Sequence, residues 1–310
     1  MKKLLCIFIL LGFVSNVFSQ NDAQYRHNMF NHMTINPGYA GSNDMININS
    51  LYRHQWMNMG NITPINAVFS VNMPFTLFDK EHGAGITVLN DNNPVITDIG
   101  VKLAYAYRMK MKIGDGKLGI GGSFGFYNSN FDASKLILGD GTSASTVVEN
   151  KNTIYDVGMG VFYKTEKLYM GFSATHLING EYKVDEKPMD FRSSHYYIAA
   201  GYVIPLSNPM FEFMPSFFIQ NDGATTTINL NSNVMYNNRI WGGLSYRPGQ
   251  AVTALFGVEL LAGVKFGVAY DYETTDLSKV SDGSLEVAVI YSFKLKKEKI
   301  PQKYKSIRFL

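Results

Sequence analysis

The sequence predicts an all-β protein, an exported transmembrane antiparallel β-barrel of about 14 strands. Three observations carry that reading. Apolar and polar residues alternate with the strand period of two from about residue 45 onward. Aromatics make up 14% of residues and charged groups only 17%, against about 25% charged in ordinary soluble chains. And no segment beyond the leader holds the roughly 18 uninterrupted apolar residues of a transmembrane helix.

Residues 1–19 read as a signal peptide: Lys2 and Lys3, an apolar run from Leu4 to Val14, then Val17 and Ser19 where signal peptidase reads before a cut. Cys6, the only cysteine, falls inside that leader. The mature chain is therefore expected to carry no disulfide, no thiolate metal site and no thiol nucleophile. Residues 20–44 read as a periplasmic arm or plug, 45–293 as the barrel, and 294–310 as a basic periplasmic tail. The leader's two lysines and the tail's seven bases (Lys294, Lys296, Lys297, Lys299, Lys303, Lys305 and Arg308, against Glu298) outweigh the chain's net +3. The body between them is acidic, so the basic balance is no nucleic-acid signal.

Four segments show the strand period best. In 99–109, Ile99, Val101, Leu103, Tyr105, Tyr107 and Met109 share one face, with Gly100, Lys102, Ala104, Ala106 and Arg108 on the other. The segments 154–163, 264–272 and 285–293 repeat the pattern, with aromatics near the ends of the apolar face. That placement matches the girdle of a membrane barrel, and the small and charged opposite face suits a polar lumen. Weaker alternation marks 45–56, 63–73, 82–91, 117–128, 167–177, 194–204, 210–220, 226–236, 239–247 and 252–260. With both termini in the periplasm, the long connections 129–153, 178–193 and 273–284 face outward and most short turns face inward, the asymmetry expected of such barrels. The connections around 74–81 and 110–116 are longer than periplasmic turns usually are.

No catalytic grouping has a credible spacing, so no enzyme activity and no cofactor is expected. His27 and His32 read as surface or plug residues, and the acids Asp91, Asp156, Glu259, Asp271 and Glu286 have no histidine paired to them by spacing. The glycines Gly119, Gly121, Gly122 and Gly125 lack the Lys-Ser/Thr of a phosphate loop and read as small residues on a strand. Before the first strand, Asn36-Pro37-Gly38 forms a turn and Gly41-Ser42 a hinge. Tyr25, Met29, Phe30, Met33 and Ile35 argue that the arm buries itself against something.

The stretch Gln24–Ser42, with its Q-Y…M-F-N…I-N-P-G-Y-A-G-S pattern, resembles the PorP/SprF family of the Bacteroidetes type IX secretion and gliding machinery. Trp56 in the first strand, Thr63-Pro64 opening the second, Asn237–Arg247, Gly267–Tyr272 and Gly283–Phe293 extend the resemblance over nearly the whole mature chain. It implies a bacterial outer-membrane component that meets membrane lipid and other secretion components, among them a periplasmic peptidoglycan-binding lipoprotein. It also implies a role in export or surface attachment of large adhesins, and it brings no catalytic residues. The candidate partner-binding residues are Tyr25, Phe30, Asn36, Pro37 and Tyr39 in the arm and Lys296, Lys297, Lys303 and Arg308 in the tail. A passive porin or hydrophobic-solute channel, with Lys102, Arg108, Asp156 and Asp271 setting selectivity, is the alternative.

Overall fold

The structure is a computed structural model that describes residues 22–60, 63–94, 96–132, 149–178, 181–184, 187–190, 193–261 and 263–294. The leader and the tail residues Lys296, Lys297, Lys303 and Arg308 lie outside the described residues.

Among the described residues, fourteen antiparallel strands close on themselves. They are β1 (Ile46–His54), β2 (Ile65–Leu77), β3 (Lys80–Asn92), β4 (Ile96–Lys110), β5 (Lys117–Asp132), β6 (Glu149–Lys164) and β7 (Leu168–Thr175). The second half runs β8 (His195–Tyr202), β9 (Phe211–Asn221), β10 (Thr226–Tyr236), β11 (Ile240–Arg247), β12 (Ala251–Leu261), β13 (Val264–Glu273) and β14 (Ser284–Phe293). Each strand pairs with its sequence neighbours, and β1 pairs with β14 to seal the cylinder, with Arg53 opposite Glu286. Closure removes the exposed edges that an open sheet would leave. No helix among the described residues is long and apolar enough to cross a membrane; the crossing is made by strands.

The alternation places the two kinds of residue as expected. On β4, Ile99, Leu103 and Tyr105 point outward and are exposed, while Lys102, Ala104, Ala106 and Arg108 point inward and are buried. The outer wall carries Phe69, Leu103, Ile120, Phe124, Met159, Phe172, Leu244 and Phe256. Toward its two rims it carries tyrosines, such as Tyr202, Tyr236 and Tyr291 at one and Tyr52, Tyr155, Tyr196 and Tyr272 at the other. Water does not tolerate so continuous an apolar cylinder; lipid does, with the tyrosine rings at its boundary.

The connections sort into a turn end and a loop end. At the turn end, the three residues Asn237–Arg239 join β10 to β11 with positive φ at Asn237 and Asn238, and Phe78 and Asp79 alone join β2 to β3 with positive φ at both positions. That is the twist a two-residue hairpin requires. The expected long connection at 74–81 is thus a tight turn: β2 runs on through Pro74, which stays in register opposite Gly83. Trp56 belongs to the loop after β1 rather than to the strand. At the loop end β5 and β6 reach farther than the sequence pattern suggests, to Asp132 and from Glu149. These 16-residue strands exceed the 9–11 residues that span a bilayer, so their hairpin stands clear of it. A short hairpin, Glu181–Val184 with Lys187–Asp190, occupies part of the β7–β8 connection.

Residues 22–44 thread the lumen. Asp22 lies at the loop-end mouth with Pro64, Pro94, Thr225 and Gln250, whereas Lys294 lies at the turn-end mouth. The two ends of the described chain therefore sit at opposite mouths, in contrast to the expectation that both share one side. The arm descends from the loop end, forms a single helical turn α1 (His32–Ile35) and a 3-10 turn (Pro37–Tyr39), and enters β1 at the turn end.

Inward glycines make room for it. A Cβ on Gly121 would sit 2.6 Å from the Pro37 carbonyl, one on Gly267 2.6 Å from His27 Nε2, and one on Gly83 inside the Ala40 carbonyl. Gly122, on the lipid face of the same strand, has its nearest neighbour at 3.8 Å. Gly121→Val is therefore expected to weaken arm seating by about 1–3 kcal/mol, the usual cost of overpacking, and Gly122→Val to stay within about 0.5 kcal/mol of the parent. Limited proteolysis of the arm in detergent, beside heat-modified gel migration of the barrel, separates the two.

Candidate functional site

The lumen is where the polar chemistry of this protein gathers. Alternation sends every second side chain inward, and the inward set includes Arg53, Lys102, Arg108, Asp156, Asp271 and Glu286, all buried. A buried charge is tolerated only when paired and hydrogen-bonded, and most of these pairings come from the arm.

The densest pairing lies beside the β1–β14 seam. Arg53 Nη2 donates to Asp271 Oδ2 at 2.6 Å, Arg26 Nε donates to the same oxygen at 2.5 Å, and Thr253 Oγ1 donates to Oδ1 at 2.7 Å. Glu286 accepts the backbone N–H groups of Arg26 and His27 at 2.7 and 2.8 Å, with His27 Nδ1 at 2.8 Å. Two guanidinium groups and two carboxylates thus balance in a site closed to solvent. Farther along, Lys102 Nζ donates to the Thr34 carbonyl at 2.9 Å. Arg108 donates to the carbonyls of Gly41 and Ser42 and to Asp44. The inward charges considered as pore-lining groups thus bind the arm directly in three cases, Lys102, Arg108 and Asp271. Asp156 reaches it through His176, which contacts Asp22.

The arm residues named from the sequence come together against the wall. Tyr25 packs on Leu51, Val68 and Ala288. Phe30 meets the buried Trp241 edge-on at 5.4 Å. Asn36 takes the Gly38 N–H on its Oδ1 at 2.9 Å and donates from Nδ2 to the Val161 and Phe172 carbonyls at 3.0 and 3.3 Å. It caps the turn that Pro37 opens and ties that turn to β6 and β7. Gly38 lies too close to the Gly119 and Gly160 carbonyls to carry a Cβ. Tyr39 packs edge-on against Phe162 at 5.0 Å. The N-P-G-Y motif is a docking turn for the inner wall.

His32 sits among Tyr39, Phe162 and Tyr169, with ring centroids 5.3, 5.1 and 4.8 Å away. Burial in this cage, with the Lys164 ammonium nearby, pushes its pKa down to about 3. His176, just past β7, goes the other way. Burial lowers its pKa, but the Asp22 and Asp156 carboxylates outweigh burial and raise it. Asp22, His176 and His195 bring ligand-type atoms within 4.8 Å of one another. Sequence reasoning missed this trio, and missed the pairings of His27 with Glu286 and His176 with Asp156, because the partners are 154, 259 and 20 positions apart with no shared spacing.

The arm separates two vestibules. One at the turn end, about 740 Å³, is lined by Met29, Met45, Lys164 and Lys265; one at the loop end, about 640 Å³, by Gln24, Trp56, Asp98 and Arg247.

A membrane-embedded β-barrel with its own N-terminal segment seated in the lumen is the class of protein that this fold and packing define. The family model described as "Type IX secretion system membrane protein PorP/SprF" matches residues 17–291, and the chain belongs to that family. It is a membrane component of the type IX secretion system and acts with other components of that system. No curated protein sequence matches the chain. Among solved structures, the Ralstonia pickettii toluene transporter TbuX is similar at 10% identity and TM-score 0.49, over 86% of this chain and 93% of its own. The Acinetobacter baumannii outer membrane protein Omp33 is similar at 6% identity and TM-score 0.45, over 81% and 98%.

Two outcomes are expected of the lumen. Arg53→Met leaves two buried carboxylates short of a cation and should cost about 3–5 kcal/mol, read as urea unfolding in lipid vesicles by tryptophan fluorescence. For His32, the ring titrates near 6.5 when the arm is unseated and near 3 when seated. As pH falls below 6.5 the unseated state takes up a proton that the seated state refuses, so seating weakens by up to about tenfold per pH unit. His176, whose pKa Asp22 raises, pulls the other way as pH falls, so the His32 part is isolated by difference: between about pH 7 and about pH 4.5 arm proteolysis should gain less from acid in His32→Phe than in the parent.

Proposed function

We propose that this barrel is a closed docking component rather than a free pore: it supports export or surface attachment of large adhesins by holding periplasmic and surface partners. The observation that carries this reading is the engagement of the lumen charges. An open channel keeps its charged groups solvated for passing solutes; here Lys102, Arg108 and Asp271 are buried and spent on the arm. No catalytic role is assigned to any residue, and no nucleic-acid partner.

In this reading the turn end faces the periplasm, since short turns are the periplasmic side of such barrels. Lys294 and the basic tail then enter the periplasm, where Lys296, Lys297, Lys303 and Arg308 offer charge to an acidic partner such as a peptidoglycan-binding lipoprotein. The arm contributes by fixing the barrel closed, with Tyr25, Phe30, Asn36, Pro37 and Tyr39 turned to the wall and the vestibules left as concave surfaces at either mouth. The passive channel is the competing reading.

One preparation read two ways tests this. Full-length protein in planar bilayers should show no large steady conductance, and it should co-purify with envelope partners; a variant ending at Phe293 should keep the closed barrel and lose the periplasmic partner. A large steady open channel sinks the docking barrel. Unchanged partner capture by the shortened chain removes the tail from it.

A further inference from the structure

At the loop-end mouth the start of the arm meets the ends of β7 and β8. His176 Nε2 lies 3.1 Å from both carboxylate oxygens of Asp22. His195 Nε2 is close by, 3.3 Å from the Asp22 backbone nitrogen. The far side of each ring is already held: His176 Nδ1 lies 3.1 Å from Asp156 Oδ1, and His195 Nδ1 lies 2.8 Å from the Ser193 carbonyl. An Nδ1–H donated to those oxygens fixes the tautomer that turns the Nε2 lone pairs toward Asp22. A histidine oriented by a carboxylate or carbonyl in this way is the usual outer support of a metal ligand. Tyr197 steadies the Asp22 carboxylate through its hydroxyl at 2.7 Å. Both histidines are buried, and His176 holds a positive φ of 54°, a conformation that needs support from its surroundings.

We propose that Asp22, His176 and His195 form a binding site for a divalent transition-metal ion of the zinc class, which staples the start of the arm to the barrel wall. Two imidazole nitrogens and one carboxylate are a donor set such ions take, with a further position left for water. Charge agrees: with neutral imidazoles, the Asp22 and Asp156 carboxylates present two negative charges to a dication. The ligands come from the arm, the end of β7 and the start of β8, so the ion joins the arm to two strands at once. This role is independent of the docking reading, because it concerns how the arm is held and not what the barrel holds.

The probe is zinc alone, titrated calorimetrically into the full chain, produced without a histidine tag and stripped with EDTA. About one equivalent should bind, with proton release, since the metal displaces a proton from the histidine–carboxylate group. Asp22→Asn, which leaves the wall untouched, and His176→Gln should each weaken binding at least about tenfold, and Asp156→Asn, acting through His176, by about 10-fold or more. Cobalt should give the visible absorption of a four-coordinate site. Zinc should slow proteolysis of the arm in the parent and not in Asp22→Asn, where heat-modified migration reports an intact barrel. No stoichiometric zinc, or binding unchanged in the His176→Gln, His195→Gln double variant, overturns the site. So does a cluster that answers to pH but not to zinc.

Discussion

The charges that the strands turn inward sit in a space that lipid surrounds on all sides, and the arm is the partner of most of them. The rest of the structure follows from this constraint. In a soluble domain the interior is apolar and the charges stay in water. Here the apolar side is spent on lipid, and the interior holds Arg53, Asp271 and Glu286 with almost no access to water. Such groups stabilise little on their own account, since desolvation cancels much of their attraction. What they do supply is geometry: only a segment that brings Arg26, His27 and their backbone N–H groups to the right places satisfies them.

The glycine pattern is the steric half of the same constraint. Gly83, Gly119 and Gly121 lie on the inward faces of β3 and β5 where the arm's backbone passes, and Gly160 on β6 and Gly267 on β13 where its Asn36 and His27 side chains reach the wall. Glycine is costly in a strand, so its use there fits a requirement of close approach. The charges select the arm and the glycines give it room.

The wall was legible in the sequence because its two environments differ so sharply. Lipid outside Leu103 and the arm against Lys102 impose a period of two that survives without tertiary information, and the strand count came with it. The errors have local causes. Pro74 reads as a strand stop, yet its missing N–H does not break the β2–β3 register. The extension of β5 to Asp132 runs through Asn128, Ser129 and Asn130, polar residues without the apolar alternation of a membrane face. The arm was legible as something that buries itself, from Tyr25, Phe30 and the N-P-G turn. What it buries against was not, because Arg26 finds Asp271 across 245 positions and Asp22 finds His176 across 154. No periodicity encodes contacts of that kind; they arise only when the cylinder closes.

The seam between β1 and β14 has a consequence for biogenesis. The arm precedes every described strand of the wall in the chain, yet Glu286, which takes the N–H groups of Arg26 and His27, lies on β14, the last of them. Across the seam from it stands Arg53, in register on the first. The arm's anchorage is therefore incomplete until translation and insertion have delivered the final stave. One joint therefore carries two duties: the pairing that shuts the cylinder also brings Arg53 and Glu286 together where the arm's last hold is made.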